Sequence, residues 1–364
     1  MRCLYPILSL FLFYLTITNA QRSSIDSLKF IGEYILDNKT YLEGNQVGGL
    51  SGIDYKNKKW IAICDDSDSP RYFDLNIEYT DTTFLKVNFL KQHILRSTKG
   101  GKLPKEYIDP ESIRFAGDDY HIISSEGNIN NKVDSEIFLV GTGASNIIGL
   151  YSFNTFKSQK KIHLRHNGAI EALSILNNKL WFTTELPFVN DGKAATFKKN
   201  GAPVRITYFD IKTKQLKQYA YLLEKVVLAP KNKKDIAING VVEILNINKT
   251  SLLVLERSYT FGYKEGGTHI KLFKVTINNA TEVSKFKSLK NKKITLLKKK
   301  LILNFNTVKN QFPSRQVDNI EGMCWGPKLK NGNKTLVFVA DNNFNLYGKQ
   351  LNQFLAFEVI SNTP

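Results

Sequence analysis

The chain has 364 residues, 42% hydrophobic and 12% aromatic, with 51 Lys and Arg against 33 Asp and Glu for a net charge of +18. This hydrophobic fraction excludes a disordered chain, and three cysteines exclude a disulfide-stapled scaffold. The basic charge points to an anionic partner, but no helix-turn-helix, zinc-finger or aromatic RNA-binding signature accompanies it, so nucleic acid is not singled out.

In chain order, the first feature is a basic residue, Arg2, followed by an apolar run from Leu4 to Ile17 and by Thr18-Asn19-Ala20. The run is short for a bilayer span and reads as a cleaved signal peptide over residues 1–20, which predicts a secreted or periplasmic product with no membrane span. Residues 21–364 show no Pro/Gly/Ser-rich linker and no helical periodicity, so they are expected to form one domain.

Apolar runs of strand length then follow in groups of four. The first group is LSGIDY, WIAICD, RYFDLNI and FLKVNFL, and the second is SIRF, YHIISS, EIFLV and GLYSF. The third is IEALSIL, LWFTTE, RITYFD and KQYAYLL, and the fourth VVEILNI, LLVLER, IKLFKV and KKLILNF. The last group has only IEGMCW, LVFVAD and FLAFEV, and the N-terminal strand KFIGEYIL supplies its fourth member. Repeats of strands without helices predict an all-β radial fold, a β-propeller of five blades closed by pairing the two chain ends.

Each repeat except the first, which has Ser51, opens on an acid, and every repeat closes its second strand on another. The opening positions are Ser51, Glu111, Glu171, Glu243 and Glu321, and the closing ones Asp65, Glu126, Glu185, Glu256 and Asp341. In an antiparallel pair the first residue of one strand neighbours the last of its partner. If these are the innermost strands, nine carboxylates converge on one mouth of the central channel. Two carboxylates about 5 Å apart repel by roughly 3 kcal/mol at an effective dielectric near 20, so the ring needs protons, basic partners or a cation. Oxygen-only donors suit calcium; zinc would want His or Cys. The alternative is that the acids cap strand ends by accepting backbone N–H bonds.

Other residues add less. Cys64 and Cys324 read as two buried thiols, although ring closure would leave a disulfide between them open. The five histidines show no metal-ligand spacing, and only His166 falls near the expected mouth. No G-x-S-x-G elbow is present, which disfavours a serine esterase. Trp60, Trp181 and Trp325 are read as packing between blades.

The segments DDSDSPRYFDL, RHNGAIEAL, LLVLERSY and IEGMCWGPKLKNGNKTLVFVADNNF, taken in order, resemble the phytase-like family described as having esterase-like activity. These are mostly exported bacterial propellers distantly similar to calcium-dependent phytases. The resemblance runs from GGLSGIDY to LVFVADNN. It matches at Asp66 and Arg71, Glu111, Asn167, Glu171 with Glu185, Arg205, Glu256 and Arg257, and Glu321 with Asp341 and Asn342. It implies a phosphoester-directed hydrolase and, from the propeller phytases, six blades where the strand count reads five.

Together these readings place a metal set at Asp65, Glu111, Glu126, Glu171, Glu185, Glu243, Glu256, Glu321 and Asp341, with Glu171, Glu185 and Glu321 as catalytic candidates. Cations held there would neutralise phosphate oxygens and activate water. Arg71, Arg205, Arg257, Asn167 and Asn342 are the expected contacts to substrate, since arginine grips phosphate bidentately. For Arg257 a salt bridge to the acid ring is the competing role. The expected function is a monomeric, exported, calcium-dependent hydrolase of a small anionic phosphoester. The alternative is a non-catalytic, calcium-stabilised propeller that binds an anionic polymer or a partner protein.

Overall fold

The computed structural model describes residues 25–159, 163–264 and 266–361. The expected signal peptide lies outside them. Strand β1 (Ser27–Leu36) is followed by a short ribbon of β2 (Tyr41–Leu42) and β3 (Asn45–Gln46). Blade one contains β4 (Leu50–Lys56), β5 (Lys59–Cys64), β6 (Arg71–Tyr79) and β7 (Phe84–Ile94); blade two contains β8 (Pro110–Phe115), β9 (Tyr120–Ser125), β10 (Glu136–Gly141) and β11 (Ile147–Tyr151). Blade three is β12 (Ile170–Leu176), β13 (Lys179–Thr184), β14 (Val204–Asp210) and β15 (Leu216–Tyr221), and blade four is β16 (Ala237–Asn248), β17 (Ser251–Thr260), β18 (Thr268–Thr276) and β19 (Lys298–Asn304). Blade five joins β20 (Ile320–Gly326), β21 (Thr335–Ala340) and β22 (Asn352–Ile360) to β1.

The fold is therefore a five-bladed propeller, and the sixth blade suggested by the phytases is not there. The innermost strands touch in the cyclic order β4, β8, β12, β16, β20 and back to β4. Closure comes from β1, which pairs antiparallel with β22 from Ser27 opposite Ile360 to Leu36 opposite Asn352. Tight innermost hairpins follow from local chemistry. Asn57 and Lys58, and likewise Asn177 and Asn178, all adopt positive φ, as a two-residue hairpin turn requires at both centres, and Asn tolerates that region well.

The core is split into layers between neighbouring blades. Trp60, Phe73, Val337 and Phe354 fill the layer between blades five and one. Trp181, Val204, Val254 and Phe273 do so between blades three and four, and Leu253, Met323, Phe338 and Phe357 between blades four and five. Burial of each such side chain contributes about 1.5–3 kcal/mol. Cys64 and Cys324 share the first of these layers as free, buried thiols. Trp60 and Trp181 pack between blades as expected, and the half-buried Trp325 packs against the layer between blades four and five while its Nε1 donates to the Asn246 carbonyl at 2.9 Å.

Around the axis the innermost strands nearly touch. A Cβ on Gly52 would come within 2.9 Å of the Ser112 Cα, and one on Gly322 within 3.0 Å of the Gly52 Cα. Into this narrow centre projects Arg114, fully buried. Its Nη1 donates to the Ile53 and Ile113 carbonyls at 2.7 and 2.9 Å, and its Nη2 to those of Met323 and Ile244 at 3.2 and 3.3 Å. One guanidinium thus ties together the innermost strands of four blades and plugs the channel below the mouth.

Candidate metal centre

Every innermost hairpin carries a β-bulge near its opening position. In blade three, Ile170 pairs with Thr184 and Ala172 with Thr183, so Glu171 is the extra residue. The same irregularity falls at Ser51, at Glu111 with Ser112, and at Glu321. A bulge frees one residue from the ladder and re-aims its side chain, which turns the opening acids towards the mouth. The closing acids Asp65, Glu126, Glu185 and Asp341 each follow the last residue of the second strand.

Blade four departs from this pattern. Val241 pairs with Glu256 and Glu243 with Leu255, so the extra residue is Val242. Because strand side chains alternate with a period of two, the shift removes both expected acids from the ring. Glu243 takes the place that Gly52, Ala172 and Gly322 occupy elsewhere, points to the axis, and pairs with Arg114 at 2.5 Å with no solvent exposure. Glu256 turns away to receive the Tyr221 hydroxyl at 2.6 Å, the Asn239 amide at 2.9 Å and the Lys299 ammonium at 3.0 Å. The residue at the closing position is Arg257. The signal was present in the spacing: Glu243 to Glu256 is the shortest of the five intervals, whereas Val242 to Arg257 matches Glu111 to Glu126.

A residue overlooked in the sequence takes their place. Asp109, two positions before Glu111, has a carboxylate oxygen that lies with those of Asp65 and Glu111 inside a span of 4.8 Å. The carboxyls of Asp65 and Asp109 therefore face each other at close range. Burial pushes the carboxyls of Asp65, Glu111 and Glu171 well above the usual range, and neighbouring acids push further: Asp109 on Asp65, Asp65 on Glu111, and Glu185 on Glu171. Burial likewise raises Glu126 to about 8, with Glu185 adding to the shift, although it accepts the Ala169 N–H at 2.9 Å. Asp109 and Asp341 rise to about 6, again chiefly through burial. A carboxyl held this far from its ordinary value costs about 1.4 kcal/mol per unit to ionise.

The single basic side chain among the described residues that ion-pairs with this ring is Arg257. Its Nη2 lies 3.0 Å from Glu185 and its Nη1 pairs with Glu321 while donating to Asn319 at 2.8 Å. Compensation is therefore confined to the side of blades three to five. Asp65, Asp109, Glu111, Glu126 and Glu171, contributed by blades one to three, form no ion pair with the described residues, and they fit a hard cation that prefers oxygen donors.

A family model described as "Phytase-like: Esterase-like activity of phytase" matches residues 45–344. The chain belongs to this phytase-like family. The phytase-like match contains every acid of the ring, from Asp65 to Asp341. A search of curated proteins finds no match. Among solved structures, the chain is similar to an endo-arabinase from Bacteroides thetaiotaomicron at 12% identity, covering 87% of this chain and 95% of that one with a TM-score of 0.45. It is also similar to an alpha-L-arabinofuranosidase from Lactobacillus brevis at 8% identity, covering 85% and 91% with a TM-score of 0.41. At these scores neither likeness carries an argument about function.

The arginines that the phytase-like pattern suggested for substrate are already engaged. Arg71, buried, pairs with Asp66 and donates to the Ser69 and Gln46 carbonyls. Arg205, on the third strand of its blade like Arg71, is gripped by both oxygens of Asp191 at 2.7 and 2.8 Å. Both serve the scaffold and present no free fork to a phosphate. Asn342 is fully buried and braces the chain, accepting from the Gly49 N–H at 2.9 Å and donating to Asn38 at 3.1 Å. Asn167 remains exposed beside the equally exposed His166.

Proposed function

We propose that this phytase-like propeller is an exported, monomeric hydrolase of small phosphoric esters that works with calcium at the acidic mouth. The observation that carries the proposal is the convergence of Asp65, Asp109 and Glu111 with no ion pair to any of the described residues. Their donors are all carboxylate oxygens, the set that calcium takes in loosely shaped, six- to eight-fold sites. Glu126 and Glu171 stand beside them as further ligands. When bound, the cations would neutralise phosphoryl oxygens and act as Lewis acids.

The protein groups then have distinct parts. Glu171, whose carboxylate receives no hydrogen bond from the described residues, is assigned to moving the proton of the attacking water. Glu185 and Glu321 are held in orientation by Arg257, which also supplies the fixed positive charge nearest the mouth. Asn167 and His166, both exposed, are the groups left to meet the substrate. Release of phosphate from phytate and from p-nitrophenyl phosphate, in calcium and then in chelator, tests this reading. If folded protein shows no calcium-dependent release, the assignment fails.

One observation favours a second reading, a calcium-rigidified propeller without catalysis. Arg71, Arg205 and Arg257 are all committed to internal carboxylates, so none of these three is free to grip a phosphate. In that case the Lys-rich segment from Lys287 to Lys300 would serve an anionic polymer or partner protein.

A further inference from the structure

The innermost hairpins place their acids at one end and their turns at the other, so the β4–β5 and β8–β9 turns lie on the face away from the acidic mouth. There a groove of about 610 Å³ opens between blades one and two, a size typical of small-molecule sites. Its lining is aromatic: Trp60, Tyr72 and Phe115 contribute to it, together with His93 and His121. Tyr72, Phe115 and the two histidines form one continuous set of rings. His93 stacks on Tyr72 with centroids 4.5 Å apart, and His121 meets Tyr72 and Phe115 edge-on at 5.1 and 5.0 Å.

Four lysines surround these rings: Lys56, Lys58, Lys59 and Lys91. Lys56 pairs with Asp118 at 3.4 Å, whereas none of the described residues forms an ion pair with Lys58, Lys59 or Lys91. Asp74, the other acid of the groove, is taken by His93 Nε2 at 2.8 Å. A second feature is independent of charge. His121 is 3% exposed and its Nδ1 has no hydrogen-bond partner. Burial lowers its pKa to about 4, so at neutral pH it is an uncharged imidazole. Buried polar atoms are normally satisfied, and packing gives no account of this one.

We propose that this groove is a second ligand site, separate from the acidic mouth, for a small molecule that carries an anionic group on a flat ring. The ring would lie against the half-buried Phe115, where offset or edge-on contacts are favourable. The anion would meet the unpaired ammonium groups of Lys59 and Lys91, and a polar substituent would satisfy His121 Nδ1. Neither the calcium ligands nor the proposed hydrolysis enters this inference.

The test uses phenylphosphonate, which joins ring and dianion without a hydrolysable ester, and inorganic phosphate, which is an anion without a ring. Both are titrated calorimetrically into the whole protein in chelator, so that the mouth holds no calcium. Phenylphosphonate is expected to bind once per chain, at least about tenfold more tightly than inorganic phosphate. The double variant Lys59→Glu/Lys91→Glu changes two exposed side chains, so its melting temperature should stay near that of the parent while phenylphosphonate affinity falls at least about tenfold. The proposal is overturned by absence of saturable phenylphosphonate binding, by equal affinity for the two anions, or by unchanged affinity in the charge-reversed variant. None of these results bears on calcium-dependent phosphate release, so the two readings fail separately.

Discussion

Arg257 Nη2 lies 3.0 Å from Glu185 Oε1, and the same guanidinium pairs with Glu321. One cation from blade four therefore binds an acid of blade three and an acid of blade five. It stands where the other four blades carry Asp65, Glu126, Glu185 and Asp341, so a single basic residue replaces an acid and quiets half of the ring. The half formed by blades one to three is left for a cation from solution.

Removing Arg257 should accordingly be a stability lesion before it is a kinetic one. Arg257→Ala leaves Glu185 and Glu321 as buried carboxylates without a counter-charge, which costs about 3–5 kcal/mol when a buried pair is broken from one side. Denaturant titration in chelator should show that loss, and Arg257→Lys should recover part of it. A variant as stable as the parent would contradict the clamp.

The Arg114–Glu243 pair on the axis makes a different prediction. Either Arg114→Met or Glu243→Leu alone strands a buried charge, whereas the double variant replaces the pair by apolar volume. A double-mutant cycle should give a double variant more stable than Arg114→Met alone. Additive losses would mean that the pair is not coupled.

Calcium should stabilise the protein most at the alkaline end of its range. Carboxyls whose folded pKa is raised contribute stability below the ordinary carboxylate value and lose it as pH climbs through the raised value. For Asp109 and Asp341 that loss is complete above about 6 and for Glu126 above about 8. In chelator the melting temperature should fall across this window, and calcium, by taking the place of the protons, should restore it. Scanning calorimetry at pH 5 and pH 8 checks the sign; a calcium effect that is greater at the lower pH would refute it.

Asp109 and Glu256 should separate cleanly. Asp109→Asn removes one charge from the converging triad and should weaken calcium by about tenfold or more. Glu256→Gln should leave calcium affinity unchanged while lowering the melting temperature, because its carboxylate serves Tyr221, Asn239 and Lys299. Calorimetric titration of calcium into both variants makes the comparison.

Much of the architecture was legible in the chain. Strand number, blade number and closure by β1 follow from apolar runs punctuated by turns, and the acids recur at the same place in each hairpin. Local periodicity carries that information because each blade repeats the same short-range pairing. Blade four shows where such reading stops. A bulge at Val242 rather than Glu243 leaves the composition of the strand untouched, yet the period of two carries Glu243 to the axis and Glu256 to the Tyr221 side. The short Glu243 to Glu256 interval hinted at that shift, but only the assembled ring could decide that Arg257 would pair with Glu185 and Glu321, that Asp109 would join Asp65 and Glu111, and that Arg71 and Arg205 would be spent on Asp66 and Asp191. Those partners are set by distances between side chains on separate strands and loops, which no spacing along one strand encodes.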